Sequence, residues 1–239
     1  MKVLVIPDVH LKPWIFERAS EILHLHPEIG LAVCLMDIAD DFGQQKNLGL
    51  YENTYDAAIR FHLEFPETLW CWGNHDISYL IGAYESGYSE YAQLIVAVKI
   101  RELVGVVRNN IQYVHKIDNV IFCHGGLSET CVKRCPGGTS HYHDIDWIVN
   151  KINSCISFDD AWKDYSPIWY RPQYSLTGYS QYKPRKLLQV VGHTPIKAIN
   201  QQHNVLSCDS FSTYPDGAPY GTQEFTVVDT VTWQFSTIK

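Results

Sequence analysis

The 239 residues, 46% hydrophobic and 13% aromatic, supply enough chain for one large core, and a formal net charge of −7 argues against bulk nucleic-acid binding, which needs basic surface. That charge leaves phosphorylated substrates open, because bound divalent cations invert the local sign. Seven cysteines, an odd number, do not form the framework of a small disulfide scaffold and suit a reducing compartment. No apolar run approaches the ~20 residues of a membrane span, and the short N-terminal run has no signal-peptide pattern. The expectation is a cytoplasmic protein with no membrane partner.

Val3 to Ile6 reads as a short buried strand stopped by Pro7, with Asp8-Val9-His10 at its end. Two residues apart in an extended segment, Asp8 and His10 face one side and suit a shared metal ion. Trp14 to His26 carries apolar residues at 16, 19, 22, 23 and 25, an amphipathic helix closed by Pro27. Leu31 to Met36 is a second buried strand, ending in Asp37-Ile38-Ala39-Asp40-Asp41. Tyr51 to Phe65 reads as a helix with Tyr51, Tyr55, Ala58, Ile59 and His62 on one face and Leu63 at its margin. A third strand, Leu69 to Trp72, runs into Gly73-Asn74-His75-Asp76, and a helix is expected to begin near Ile77. Tyr91 to Leu103 reads as another helix. Ile111 to Ile117 and Val120 to Cys123 form a hairpin around Asp118-Asn119, and its second arm ends in His124-Gly125-Gly126-Leu127-Ser128.

Residues 129–186 are the least regular, with a helix near Ile145 to Ile156. They read as a lid or insertion on a single domain spanning 1–239. Leu187 to Val191 is the next strand, ending in Gly192-His193-Thr194-Pro195, and Val205 to Cys208, Phe225 to Val228 and Val231 to Phe235 complete the set. Cys131, Cys135, His141 and His143 have a spacing open to a structural zinc ion, although it matches no well-known zinc pattern and a surface loop is favoured. His24, His26, His62 and His115 read as ordinary surface or satisfied histidines, with His62 the one on an apolar face.

Five strands thus end in carboxylate, imidazole or amide groups: Asp8 and His10, Asp37 and Asp40, Asn74 and His75, His124, and His193. α/β sheets gather their active sites at strand ends. Such ligands without thiolates suit Mn, Fe or Zn, and their number is right for two ions.

In order, Asp-x-His, Asp-x-x-Asp, Gly-Asn-His-Asp, His-Gly-Gly-Leu-Ser and Gly-His-Thr-Pro resemble the motifs of the calcineurin-like metallophosphoesterases. They look most like the phosphoprotein phosphatase branch with its bacterial and phage relatives, which include diadenosine tetraphosphate hydrolases. The resemblance implies an αββα sandwich of two mixed sheets. It places Asp8 and His10 on a first metal, Asp37 as a bridge, and Asn74, His124 and His193 on a second. It makes His75 the general acid, oriented by Asp40, and Arg171 a phosphate ligand, with Tyr214 on a loop near the substrate. Asp41 stands where the family carries a second phosphate-binding Arg, Met36 where it carries Gly, and Trp72 and Asp76 where Arg and Glu often flank Gly-Asn-His. The implied activity is hydrolysis of phosphomonoesters on proteins, nucleotides or small molecules, by in-line attack of a metal-bridging hydroxide. A phosphodiester or dinucleoside polyphosphate hydrolase is the rival enzyme, and a catalytically silent scaffold the rival of another class.

Overall fold

The computed structural model describes residues 1–174, 178–183 and 185–239; residues 175–177 and 184 of the segment read as a lid lie outside it. In chain order the strands and helices are β1 (Lys2–Ile6), α1 (Trp14–Leu25), β2 (Ile29–Cys34), α2 (Leu48–Glu64), β3 (Leu69–Cys71), α3 (Asn74–Ile81), α4 (Gln93–Val107), β4 (Ile111–Gln112), β5 (His115–Ile117) and β6 (Val120–Phe122). They continue with α5 (Glu129–Arg134), α6 (Ile145–Cys155), α7 (Phe158–Ala161), β7 (Leu188–Val191), β8 (Asn200–Gln202), β9 (Val205–Ser207), β10 (Phe225–Asp229) and β11 (Phe235–Ile238).

Two mixed sheets result. One runs β11-β10-β1-β2-β3-β4 and the other β5-β6-β7-β9-β8. β1 to β4 are parallel neighbours, as are β6, β7 and β9. The continuous apolar strands explain the layering, because both faces of a parallel strand need cover. Val3 and Val5 of β1, with Phe122 of β6 and Val190 of β7, fill the layer between the sheets. The alternate residues Leu4 and Ile6 belong instead to the core cluster that also holds Phe16 and Trp70. Each such side chain, fully buried, contributes roughly 1.5–3 kcal/mol. The expected sandwich of two mixed sheets flanked by helices is the fold observed.

Several details differ from expectation. The helix after β3 starts at Asn74, with Gly73 as its extended N-cap, so Asn74 and His75 occupy a first helical turn and not a strand end. Ile111 to Ile117 is not one arm: Ile111 pairs with Trp70 in the first sheet, whereas His115 pairs with Phe122 in the second. The chain crosses between sheets at Tyr113 and Val114, whose N–H groups both donate to Asn153 Oδ1. The last strand is Phe235–Ile238, since Val231 and Thr232 instead cap a turn on Asp229. On α2 the buried face centres on Tyr51, Tyr55, Ala58 and His62, while Leu63 is exposed. Within 129–186, Val132, Ile148, Ile152 and Ile168 join the main core. No helix among the described residues is long and apolar enough to cross a membrane.

Cys131 and Cys135 are buried, and His141 stacks on Trp147 at 4.0 Å. Cys131, Cys135, His141 and His143 are not one of the metal-competent clusters among the described residues. His62 and His115 are both buried and both satisfied by Trp70, one through the indole N–H and the other through the backbone carbonyl. His24 and His26 lie at the surface beside Glu64 and Glu28.

Candidate metal centre

The parallel strands of both sheets present their C-terminal ends on one side, the usual place for a site in α/β folds. Beyond the strands, backbone hydrogen bonds keep two ligand loops together: His10 N donates to Asp37 O at 2.8 Å and Leu11 N to Ile38 O at 3.0 Å. Here the sequence argument for Asp8 and His10 needs correction. They are not extended neighbours, because β1 has ended and His10 has φ 43° with Leu11 at 56°. Met36, Asp37, Asp40 and His193 also adopt positive φ. Strained backbone of this kind costs about 1–3 kcal/mol per residue and persists where the surrounding structure enforces it. Met36 takes φ 60° with a fully buried side chain, so the chain makes this left-handed turn without a glycine.

All six residues expected to hold metal converge. Carboxylate and imidazole atoms of Asp8, His10 and Asp37 lie within 4.8 Å of one another, as do those of Asp37, His124 and His193. Asp37 belongs to both groups. His124 Nδ1 lies 2.8 Å from Leu35 O, which requires the proton on that nitrogen. Nε2 is then the lone-pair side in the neutral ring. It faces Asn74 Oδ1 at 3.0 Å, Asp37 Oδ2 at 3.1 Å and His193 Nδ1 at 3.2 Å.

A ring nitrogen surrounded by acceptors suits a cation among them, not a hydrogen-bond network. Asp8 Oδ1 and His193 Nε2 are buried without a hydrogen-bond partner among the described residues, an arrangement costly unless another group completes it. His10 Nδ1 lies 2.9 Å from Asp40 O, so its Nε2 is the available ligand. The residues present therefore fit a pair of metal ions.

Electrostatics agree. Burial, with repulsion from Asp209 and Asp37, pushes Asp8 well above the usual carboxylate range. Burial alone would also raise Asp37, but His124, His75 and His10 hold it below that range. Burial, with His124 and Arg171, drives His193 down.

Beside these groups His75 Nδ1 meets Asp40 Oδ2 at 3.0 Å. The other Asp40 oxygen accepts from Tyr51 at 3.1 Å and Tyr79 at 2.5 Å. Burial would lower the His75 pKa, but Asp37 and Asp40 outweigh it and push it up to about 9. His10, Asp37, Asn74, His75, Arg171 and His193 all border one cavity of about 180 Å³.

Arg171 reaches the cavity because Gly125 and Gly126 donate to Pro167 O at 2.7 and 3.2 Å. A Cβ at Gly125 would sit 2.7 Å from Tyr170 O, so only glycine admits this segment. Arg171 Nη1 then donates to His193 O at 2.6 Å and Thr194 Oγ1 at 2.9 Å. Tyr214 follows Ser212 and Thr213, which line the cavity, but does not line it itself: its hydroxyl meets Lys197 and its ring lies 5.0 Å from Tyr220.

Asp41, where the resemblance implies an arginine, is bound within the fold. Asp41 pairs with Lys12 at 2.9 Å and accepts from Thr213 at 2.7 Å. Asp76, fully buried, accepts from Tyr55 at 2.6 Å and from Ile38 N, and so fixes the loop that bears Asp37 and Asp40. Burial and Asp37 raise its pKa to about 7. Asp209 was not anticipated. It is buried at the end of β9, lines the cavity and accepts from Ser212 Oγ at 2.8 Å.

The family model described as calcineurin-like phosphoesterase matches residues 1–220. The chain belongs to the calcineurin-like phosphoesterase family. It is accordingly a metal-dependent phosphoric ester hydrolase, acting on phosphorylated compounds. Solved structures with the same fold include a protein-tyrosine phosphatase from the psychrophile Shewanella sp., 18% identical with a TM-score of 0.56, the match covering 100% of this chain and 80% of that one. A protein serine/threonine phosphatase from Saccharomyces cerevisiae is 13% identical, TM-score 0.55, with the same two coverages, 100% and 80%. A protein titled a putative diadenosine tetraphosphatase is 12% identical, TM-score 0.52, covering 99% and 92%. No curated protein matches the sequence significantly.

One consequence concerns Gly192 in this phosphoesterase. A Cβ there would lie 1.9 Å from Asp8 Oδ1, while the next N–H, of His193, holds Asp8 Oδ2 at 2.7 Å. Gly192→Ala is expected to destabilise by about 1–3 kcal/mol through overpacking and to push the carboxylate away from His10 and Asp37. Thermal melts with and without Mn should show a smaller metal-induced rise in Tm than wild type. An undiminished rise would mean that the position of Asp8 is irrelevant to metal binding.

Proposed function

We propose that this phosphoesterase is a phosphomonoesterase using two metal ions. Asp8 and His10 would hold one ion, Asn74, His124 and His193 the other, and Asp37 both. The observation that carries this reading is the shared position of Asp37 in two ligand clusters beside the His75–Asp40 pair. When bound, the ions stabilise charge on the phosphoryl group and lower the pKa of water. The oxygen and nitrogen donors, without thiolate, favour Mn or Fe, with Zn next.

The chain's own residues perform the remaining work. Arg171, fixed by His193 O and Thr194, binds the phosphate. His75 donates a proton to the leaving oxygen, and Asp40 keeps its Nδ1 engaged so that Nε2 is the donor. Tyr51 and Tyr79 hold Asp40 in place. The described residues of 129–186 are read as a lid on a single domain, and Arg171 among them borders one side of the cavity. The protein phosphatases among its fold neighbours make phosphorylated proteins one substrate class to test. Seven free cysteines support a reducing, cytoplasmic compartment.

Assaying the metal-loaded protein against p-nitrophenyl phosphate, a phosphopeptide, a bis-ester and a dinucleoside polyphosphate tests the reading. Monoesters should turn over fastest. Faster turnover of the bis-ester or dinucleotide would replace the reading with the rival hydrolase, and no turnover would favour the silent scaffold.

With Asp41 in place of a second arginine, Arg171 carries more of the phosphate binding. A charge-assisted hydrogen bond contributes about 1.5–3 kcal/mol. Arg171→Ala is therefore expected to lower kcat/KM by ~10- to 100-fold, mainly through KM, with metal content unchanged. Wild-type kinetics would place Arg171 outside the substrate site.

A further inference from the structure

Five carboxylates line the cavity: Asp37, Asp40, Asp41, Asp209 and Glu85. Four are already engaged. Asp37 stands among histidines, Asp40 meets His75 and two tyrosines, Asp41 pairs with Lys12, and Asp209 holds Ser212. Glu85 differs. Among the described residues its carboxylate accepts one hydrogen bond, from the N–H of Ser86 next to it at 3.3 Å, and forms no ion pair.

Its position is not arbitrary. The loop bearing it is tied to the acid pair, since Ser89 N donates to the Tyr79 hydroxyl at 2.8 Å and Tyr88 stacks on Tyr79 at 4.4 Å. The same Tyr79 hydroxyl donates to Asp40. Glu85 thereby lines the same cavity as His75 and Arg171. Phe42, 46% exposed, lines the same cavity.

An unpaired carboxylate beside a phosphate site repels a dianionic ester unless something positive intervenes. A carboxylate with an aromatic ring is the pairing that recognises ammonium groups. We infer that Glu85 and Phe42 select phosphomonoesters whose leaving group carries a cationic nitrogen close to the ester oxygen. This rests on the phosphomonoesterase reading above and adds its substrate class. The nitrogen can belong to a small amino alcohol or to a lysine beside a phosphorylated residue.

The experiment compares kcat/KM for phosphocholine with that for dimethylbutyl phosphate, in which carbon replaces the quaternary nitrogen. A phosphoserine peptide with an adjacent lysine is compared with its norleucine counterpart, and p-nitrophenyl phosphate serves as reference. Wild type should prefer the cationic member of at least one pair by about fivefold, the scale of a partly exposed charge contact. Glu85→Gln should lower kcat/KM for the cationic ester and raise it for the neutral one, because the repulsion of phosphate is relieved. Phe42→Ala should reduce the preference without the rise for the neutral ester. Preference only in the phosphocholine pair identifies a small amino alcohol as the source, and only in the peptide pair a lysine. Ratios near one in wild type, or equal changes for both members in Glu85→Gln, overturn the inference while p-nitrophenyl phosphate turnover leaves the enzyme reading standing. Failure to hydrolyse p-nitrophenyl phosphate overturns both.

Discussion

Asp37→Asn is expected to abolish the two-metal centre while leaving the fold intact. Asp37 has φ 44°, and asparagine is among the few residues that tolerate this region. Its Oδ1 accepts from His75 N at 2.9 Å, a bond that an amide oxygen reproduces. The substitution removes the negative charge surrounded by His124, His75 and His10, and replaces one candidate donor oxygen by an NH₂ that cannot ligate. Metal-dependent stabilisation of phosphoryl charge is worth several kcal/mol, so hydrolysis of p-nitrophenyl phosphate should fall by ~10³-fold or more. Metal analysis after Mn loading should fall from two ions to at most one. The metal-induced rise in Tm should shrink, because ligand binding to the native state is what produces it. Two retained ions with activity within tenfold of wild type would remove Asp37 from the bridging position.

The candidate ligands were legible because each lies just beyond a short apolar run that ends abruptly. Asp37, His124 and His193 all follow that rule. So does Asp209, which ends the run Val205 to Cys208 and was overlooked although the same signal was present. What the one-dimensional pattern does not contain is the partner of a buried hydroxyl. Tyr51 and Tyr55 were readable as a core face, yet their hydroxyls serve Asp40 and Asp76, residues brought close only by the tertiary fold.

Backbone turns were equally hidden. The positive φ values of His10, Leu11 and Met36 carry no glycine to announce them, so an extended Asp-x-His was the natural expectation. The crossing at Tyr113 and Val114 was hidden because both residues are themselves apolar and buried, with no Gly, Pro, Asn or Asp between Ile111 and Ile117 to mark a turn. The side chain that marks it, Asn153, comes from a helix 39 residues further on. Arg171 was readable through family resemblance alone. The loop of Glu85 is tied to the site through a tertiary contact with no sequence signal, the Tyr79 hydroxyl that connects Ser89 with Asp40.

His75→Asn should separate acid catalysis from metal binding. His75 sits one residue after Asn74 on the first turn of α3, and successive helical residues diverge by about 100°. They therefore serve different partners: Asn74 meets His124, and His75 meets Asp40. A general acid contributes typically ~10²–10⁴-fold in rate. That contribution matters most when the leaving group is a poor one. On an alkyl phosphate His75→Asn should lose activity across that range, whereas p-nitrophenyl phosphate, whose phenolate leaves without a proton, should lose far less. Both metals should remain. Asp40→Asn should show the same leaving-group pattern more mildly. An amide NH₂ in place of Oδ2 would donate to Nδ1, which leaves a neutral ring still carrying a proton on Nε2 but a weaker donor for want of the carboxylate charge. A histidine that served only packing or ligation would behave otherwise, with metal lost or both substrates damaged equally. Metal content and the two rates, measured on one preparation, decide between them: equal losses on alkyl and nitrophenyl esters would exclude the acid role.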